Sequence, residues 1–222
     1  MRGGDFGTPI PRKGVMVVGR AVPILAALAA AMLLAVALQP AEAAFPGKNG
    51  KIAFSSHRDT DYEIYSINPD GSDPTNVTNN LLNDRKATWS PDGTKVAFVS
   101  HRAGQFYPPK NDIYTMDADG SDRTNITDAA GDDAQPAWSP DGSRIAFAST
   151  RDGDYDIYTM NVDGSDRRRL TDNSMWDMNP TWSPDGTRIA FVSDQGGVSN
   201  DIYVMKADGS DPVNVTDTPT VH

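Results

Sequence analysis

The chain has 222 residues, with 30 Asp and Glu against 20 Lys and Arg and a formal charge of −10 at pH 7. That balance argues against a binder of nucleic-acid phosphates, and 38% hydrophobic residues argue against global disorder. No cysteine is present, which excludes disulfides, thiolate zinc sites and a cysteine nucleophile, and 19 Gly with 16 Pro fit a turn-rich protein better than a helical bundle.

The first element is an apolar run from Ala21 to Leu38 without a charged or polar side chain. Arg12, Lys13 and Arg20 precede it, and Pro40 and Ala41-Glu42-Ala43 follow. A basic flank, an apolar stretch and an A-x-A site predict a secretory signal peptide over residues 1–43, cut after Ala43, rather than a retained membrane anchor. Met16 is an alternative start. Cleavage leaves residues 44–222 with a charge near −12 and no membrane span: an acidic, exported chain.

The remainder is a repeat. An acid followed by Ile-Tyr occurs at Glu63, Asp112, Asp156 and Asp201, spaced 49, 44 and 45 residues apart. Asp-Gly-Ser-Asp begins at Asp70, Asp119, Asp163 and Asp208 with the same spacings, and Trp-Ser-Pro-Asp-Gly begins at Trp89, Trp138 and Trp182. Each unit reads as four short strands, here called a to d in chain order. Strand a ends at the Trp, as in Pro136–Trp138, and the turns Asp92-Gly93, Asp141-Gly142 and Asp185-Gly186 lead into strand b, as in Ile145–Ser149. The acid-Ile-Tyr run forms strand c, and Arg168–Thr171 is an example of strand d. Four antiparallel strands per unit of about 45 residues predict an all-β protein of four β-propeller blades. The blades fall at about 46–85, 86–134, 135–178 and 179–222.

The repeat resembles the WD-like repeat of the TolB family. The resemblance rests on Trp89–Gly93, Val96–Arg102, Asp112–Met116, Asp119–Ser121 and Ile126-Thr127, and on their later copies. It implies a non-enzymatic propeller in the cell envelope, periplasmic or extracellular, that binds an envelope or extracellular protein in a Tol–Pal-like role. The family pairs six blades with an α/β domain, whereas four units predict an incomplete or open propeller. Similar propellers in carbohydrate lyases and in prolyl oligopeptidase-like enzymes supply the alternative reading.

Length variation is confined to the b–c loops, which share one face with the d–a loops. The longest, 103–111, carries Phe106 and Tyr107, while Met175, Trp176 and Met178 lie in the last complete d–a loop. Binding commonly lives on variable loops over a rigid scaffold, so these five residues are the candidate recognition set. Trp89, Trp138 and Trp182 are read as packing between blades. The chemistry expected at other positions is bland. No Gly-x-Ser-x-Gly elbow occurs, and His57 and His101 occupy equivalent repeat positions rather than a triad. Asp152, Asp154 and Asp156 alternate in one loop and are a weak candidate for Ca²⁺, but the pattern is incomplete, so no cofactor is expected. Arg58, Arg102 and Arg151 are instead expected to pair with the strand c acids at exposed loop mouths, each pair contributing roughly 0–1 kcal/mol.

The first unit begins at strand b, with Asn49-Gly50 in place of Asp-Gly and no Trp before it, which predicts a three-stranded first blade. Open sheet edges and uncovered end faces then predict self-association.

Overall fold

The computed structural model describes residues 50–58, 61–101, 110–128, 130–194 and 200–216. These form fifteen antiparallel strands in four sheets, with no helix among the described residues. The first sheet holds β1 (Ile52–Ser56), β2 (Glu63–Ile67) and β3 (Thr75–Asn76). The second holds β4 (Asp84–Trp89), β5 (Lys95–His101), β6 (Asn111–Asp117) and β7 (Thr124–Asn125). The third holds β8 (Asp133–Trp138), β9 (Arg144–Ser149), β10 (Asp156–Asn161) and β11 (Arg168–Arg169), and the fourth β12 (Asp177–Trp182), β13 (Arg188–Ser193), β14 (Asp201–Lys206) and β15 (Val213–Asn214). Four strands per sheet therefore holds for three sheets, and the first has three.

Two-residue alternation gives every sheet two apolar faces of different character. One, here the forward face, carries small and β-branched residues such as Ala97, Ile113 and Ile126. The backward face carries Val96, Phe98, Tyr114 and Met116, with the Trp of strand a. Phe98 lies opposite Tyr114 in the register, and the equivalent Phe–Tyr pairs of all four sheets stack with ring centroids 5.6–5.8 Å apart. The sheets nest forward face to backward face. Ile64, Ala53 and Val77 meet Val96, Phe98 and Trp89; Ala97, Ile113 and Ile126 meet Trp138, Ile145 and Phe147; Ala146, Ile157 and Leu170 meet Trp182, Ile189 and Phe191.

The repeated tryptophans join successive sheets. Trp138 is only 5% exposed and its Nε1 donates to the Thr88 carbonyl at 3.3 Å; Trp182 Nε1 donates to the Ala137 carbonyl at 3.2 Å. Each acceptor precedes the Trp of the sheet before. Trp89 Nε1 is buried with no hydrogen-bond partner, in keeping with the lack of a described strand a in the first sheet.

Strand a departs from the expected boundaries. It starts at Asp84, Asp133 and Asp177, two residues before the predicted blade limits, and it is bulged. Lys86, Gln135 and Asn179 sit at the bulges with φ of 54–57°. Of these residue types only Asn favours a positive φ, and Lys and Gln hide it in the other two copies, so the strand read from sequence begins only after the bulge. The Asp-Gly turns are as expected. Gly93, Gly142 and Gly186 take φ near 70°, and the preceding aspartate accepts from Ser90, Ser139 or Ser183 at 2.5–2.7 Å.

Large-to-small aromatic changes in a core cost about 3–5 kcal/mol. We expect Trp138→Ala to lower the unfolding free energy by that amount, because it empties the joint between the second and third sheets. Urea denaturation measures the loss.

Candidate protein-docking face

The b–c loops end at the acids of β2, β6, β10 and β14, and the d–a loops begin just after strand d. One arrangement fixes both. Thr78, Thr127, Thr171 and Thr216 each accept the backbone N–H of Ile64, Ile113, Ile157 or Ile202 through Oγ1, at 2.9 Å in every copy. The same hydroxyl donates to the strand c acid: Thr78 to Glu63, Thr171 to Asp156 at 3.3 Å and Thr216 to Asp201 at 3.2 Å. Asn125 and Asn214 add amide donors to Asp112 and Asp201 at 2.9 and 2.8 Å. In the third sheet Arg169 replaces this Asn and holds Asp156 at 2.6 and 3.0 Å.

Above these clasps a row of side chains crosses three sheets. Asp132, in the d–a loop before β8, accepts the backbone and amide N–H groups of Asn111 at 2.9 and 2.7 Å and the phenol of Tyr155. The half-buried Tyr155 hydroxyl is pushed well above its ordinary range, first by burial and then by the Asp132 carboxylate. Its ring meets Trp176 edge-on at 6.0 Å. Trp176 is tied down through its backbone, donating to the Asp194 carboxylate at 3.0 Å and accepting from the Asp194 N–H at 3.2 Å. Its indole is 52% exposed.

The repeat shows what is unusual here. Asn83, Asp132 and Trp176 each precede the first acid of strand a. Asn83 accepts from the backbone of Tyr62, and Asp132 from that of Asn111. In the last complete copy an indole replaces this polar bridge and faces solvent.

Of the other candidates, Met175 is half-buried and its sulfur accepts from Ser193 Oγ at 3.5 Å. Met178 packs against the cluster of Ile189, Phe191 and Met205, so it supports the loop more than it presents itself. Phe106 and Tyr107 lie outside the described residues, as does Arg102. The aspartate triplet is divided among partners. Asp156 is fully buried and held by Arg169 and Thr171, while Asp152 accepts from the Tyr158 phenol. Among the described residues no three His, Asp or Glu side chains gather as a metal site.

The family model of the TolB beta propeller domain matches residues 105–220, just over half of the chain. The chain belongs to the TolB β-propeller family. A TolB homolog of Chlorobium luteolum is 43% identical over 56 residues, which is 25% of this chain and 13% of that protein. Among solved structures, a putative TolB of Agrobacterium tumefaciens is 32% identical with a TM-score of 0.66, covering 73% of this chain and 59% of that one. TolB of Acinetobacter baumannii gives 27% and 0.62, covering 79% and 44%. The chain thus spans less than two thirds of each of these relatives. An oligogalacturonate lyase of Vibrio parahaemolyticus, 13% identical with a TM-score of 0.58 over 80% of this chain and 52% of that one, shares the fold alone.

The arginines of this TolB-type propeller do not pair as the sequence suggests. Arg151 reaches the acid of strand a, Asp133, at 3.0 Å, rather than the strand c acid Asp156. It lies over the Phe147 and Tyr158 rings at 5.3 and 4.9 Å, so the pair is buried and not an exposed loop-mouth contact. Arg58 stacks in the same way on Phe54 and Tyr65. Asp84, Asp133 and Asp177 are wholly buried and escaped the sequence reading, although each stands five residues before its Trp.

Removing one member of a buried pair strands the other and costs about 3–5 kcal/mol. We expect Arg151→Met to destabilise on that scale and the Arg151→Met/Asp133→Asn double variant to recover part of the loss, as read by urea melts of all three proteins. Asp84 gives a pH test. Burial raises its carboxyl above the usual 3.8, against the pull of Ser100, Asn80 and the more distant Arg123. The folded state therefore holds this proton more tightly than the unfolded chain. As pH falls from neutral towards 3.8, wild type should gain stability relative to Asp84→Asn, and the gap between their melting curves should shift in that direction.

Proposed function

We propose that the chain is an exported, non-enzymatic TolB-type propeller that binds a protein of the cell envelope on its b–c and d–a loop face, in a Tol–Pal-like role. The observation that carries this reading is Trp176, a half-exposed indole anchored by its backbone and by Tyr155 where other copies place a polar bridge. Exposed aromatic anchors on rigid supports are the usual energetic centre of a protein interface. The repeated serines favour a non-catalytic reading, since each hydroxyl is spent on its own turn aspartate. His57 packs edge-on against Tyr62, and His101 Nδ1 meets the Asn83 amide nitrogen at 3.4 Å. Export rests on residues 1–43, which lie outside the described residues. The N-terminal sequence of the protein recovered from its host should begin at Ala44.

We expect Trp176→Ala to weaken binding of the host's Pal-type lipoprotein tenfold or more with little change in melting temperature, measured by titration calorimetry beside a thermal melt. Unchanged affinity would remove Trp176 from the interface. A thermal shift of several degrees with Ca²⁺ or Mn²⁺, reversed by EDTA, would favour a metal-dependent enzyme instead.

A further inference from the structure

Among the described residues nothing covers the forward face of the fourth sheet, and its chemistry differs from the three forward faces that are buried. Ile64, Ile113 and Ile157 are 0% exposed, whereas Ile202 at the same position is 44% exposed. Val215, equivalent to the 3% exposed Ile126, is 55% exposed. Exposure alone describes an end sheet. The residue types add more. The position of the buried Ser66, Thr115 and Thr159 is Val204 in the fourth sheet, and Val213 beside it stands where the other sheets place the exposed Thr75, Thr124 and Arg168 at the rim of the joint. The face seen by solvent is thus more apolar than the faces that neighbours cover, the reverse of what a solvated end requires.

A matching surface stands at the other end of the described sheets. The backward face of the first sheet presents Ile52 and Phe54 where the later sheets present Val96 and Phe98, Ile145 and Phe147, and Ile189 and Phe191. Ile52 is 51% exposed, against 0–1% for its three equivalents.

We propose that the forward face of the fourth sheet binds the backward face of the first sheet of a second copy of this chain, head to tail. The chain already makes this contact between its own sheets, with Ile157 and Ile189 in one cluster at the last of these joints. Ile202 and Ile52 are their counterparts at the joint between copies. Both surfaces lie on sheet faces, away from the loops that carry Trp176, so this inference is independent of the docking reading. A head-to-tail contact is heterologous, and association continues past the dimer unless the rotation closes a ring.

The absence of cysteine makes the test direct. The protein as isolated from its host is sedimented over a wide concentration range, and we expect its mass to rise with concentration. Val204→Thr/Val213→Thr restores the polar residue of the buried faces and the polar residue at their rim, and should raise the concentration needed for association about tenfold or more, with the melting temperature of the dilute protein unchanged. Single variants Ile202→Cys and Ile52→Cys, mixed and treated with a short bis-maleimide, should yield a covalent mixed dimer. A monomer at every concentration, association indifferent to the double valine change, or cross-linking of Ile202→Cys chiefly to itself would each overturn the proposal.

Discussion

Everything on the loop face depends on the threonine that joins strand d to strand c. Strand d is only two residues long in each sheet, too short for its ladder bonds alone to hold it. The threonine hydroxyl meets two needs at once, satisfying a backbone N–H and donating to a buried acid. Unpaired, that carboxylate would carry the full cost of desolvation; bonded, it becomes a fixed point. The b–c loop arrives at the acid and the d–a loop leaves from the threonine. Both loops therefore start from one rigid position, whatever their length.

A second layer of buried charge holds neighbouring strands at that same end. Arg151 links the strand a acid Asp133 to the Phe147–Tyr158 stack, and Arg123 lies over Phe98, reaching both Asp84 and the Thr78 carbonyl of the preceding sheet. A guanidinium suits this place because its flat face stacks on an aromatic ring while its edge donates in the plane. At the opposite end, the Asp-Gly turns work through local bonds. The hydroxyl and backbone donors around Asp185 draw its carboxyl down to about 2, and the group remains solvated. One end of the propeller is therefore built around buried ion pairs between strands, the other around solvated turn aspartates with more exposed pairs such as Lys95–Asp117 and Arg144–Asp166.

How much of this was legible in the sequence follows from the range of each interaction. Strand pattern, turns and sheet number depend on residues close in the chain, and repetition amplified them fourfold. The packing role of the tryptophans was legible too, since one large apolar side chain at a fixed repeat position has few other uses. The strand a bulges were not, because Lys86, Gln135 and Asn179 share no residue type and their positive φ is imposed by the surrounding ladder. The partner of Arg151 was misjudged for a related reason. Asp156 is nearer in sequence, but Arg169 from strand d already occupies it. The buried aspartates carried a usable signal in their constant distance from the Trp, yet an acid in a loop reads as solvated until its burial is seen.

Within a repeat protein each copy is a control for the others, and two departures change what its surface presents. Trp176 replaces a polar bridge on the loop face, and Val204 and Val213 replace hydroxyl or charged side chains on a sheet face. Neither change adds to the core that the described sheets already share, since the indole and both valines turn outward. Their effect on folding is small, while their effect on what the surface attracts is large, because apolar area in water is a driving force wherever a complementary surface exists. The two sites face different directions and suit different partners. The indole is a single rigid anchor for a partner that brings its own pocket, whereas the valines extend a flat face whose fitting surface the chain makes itself.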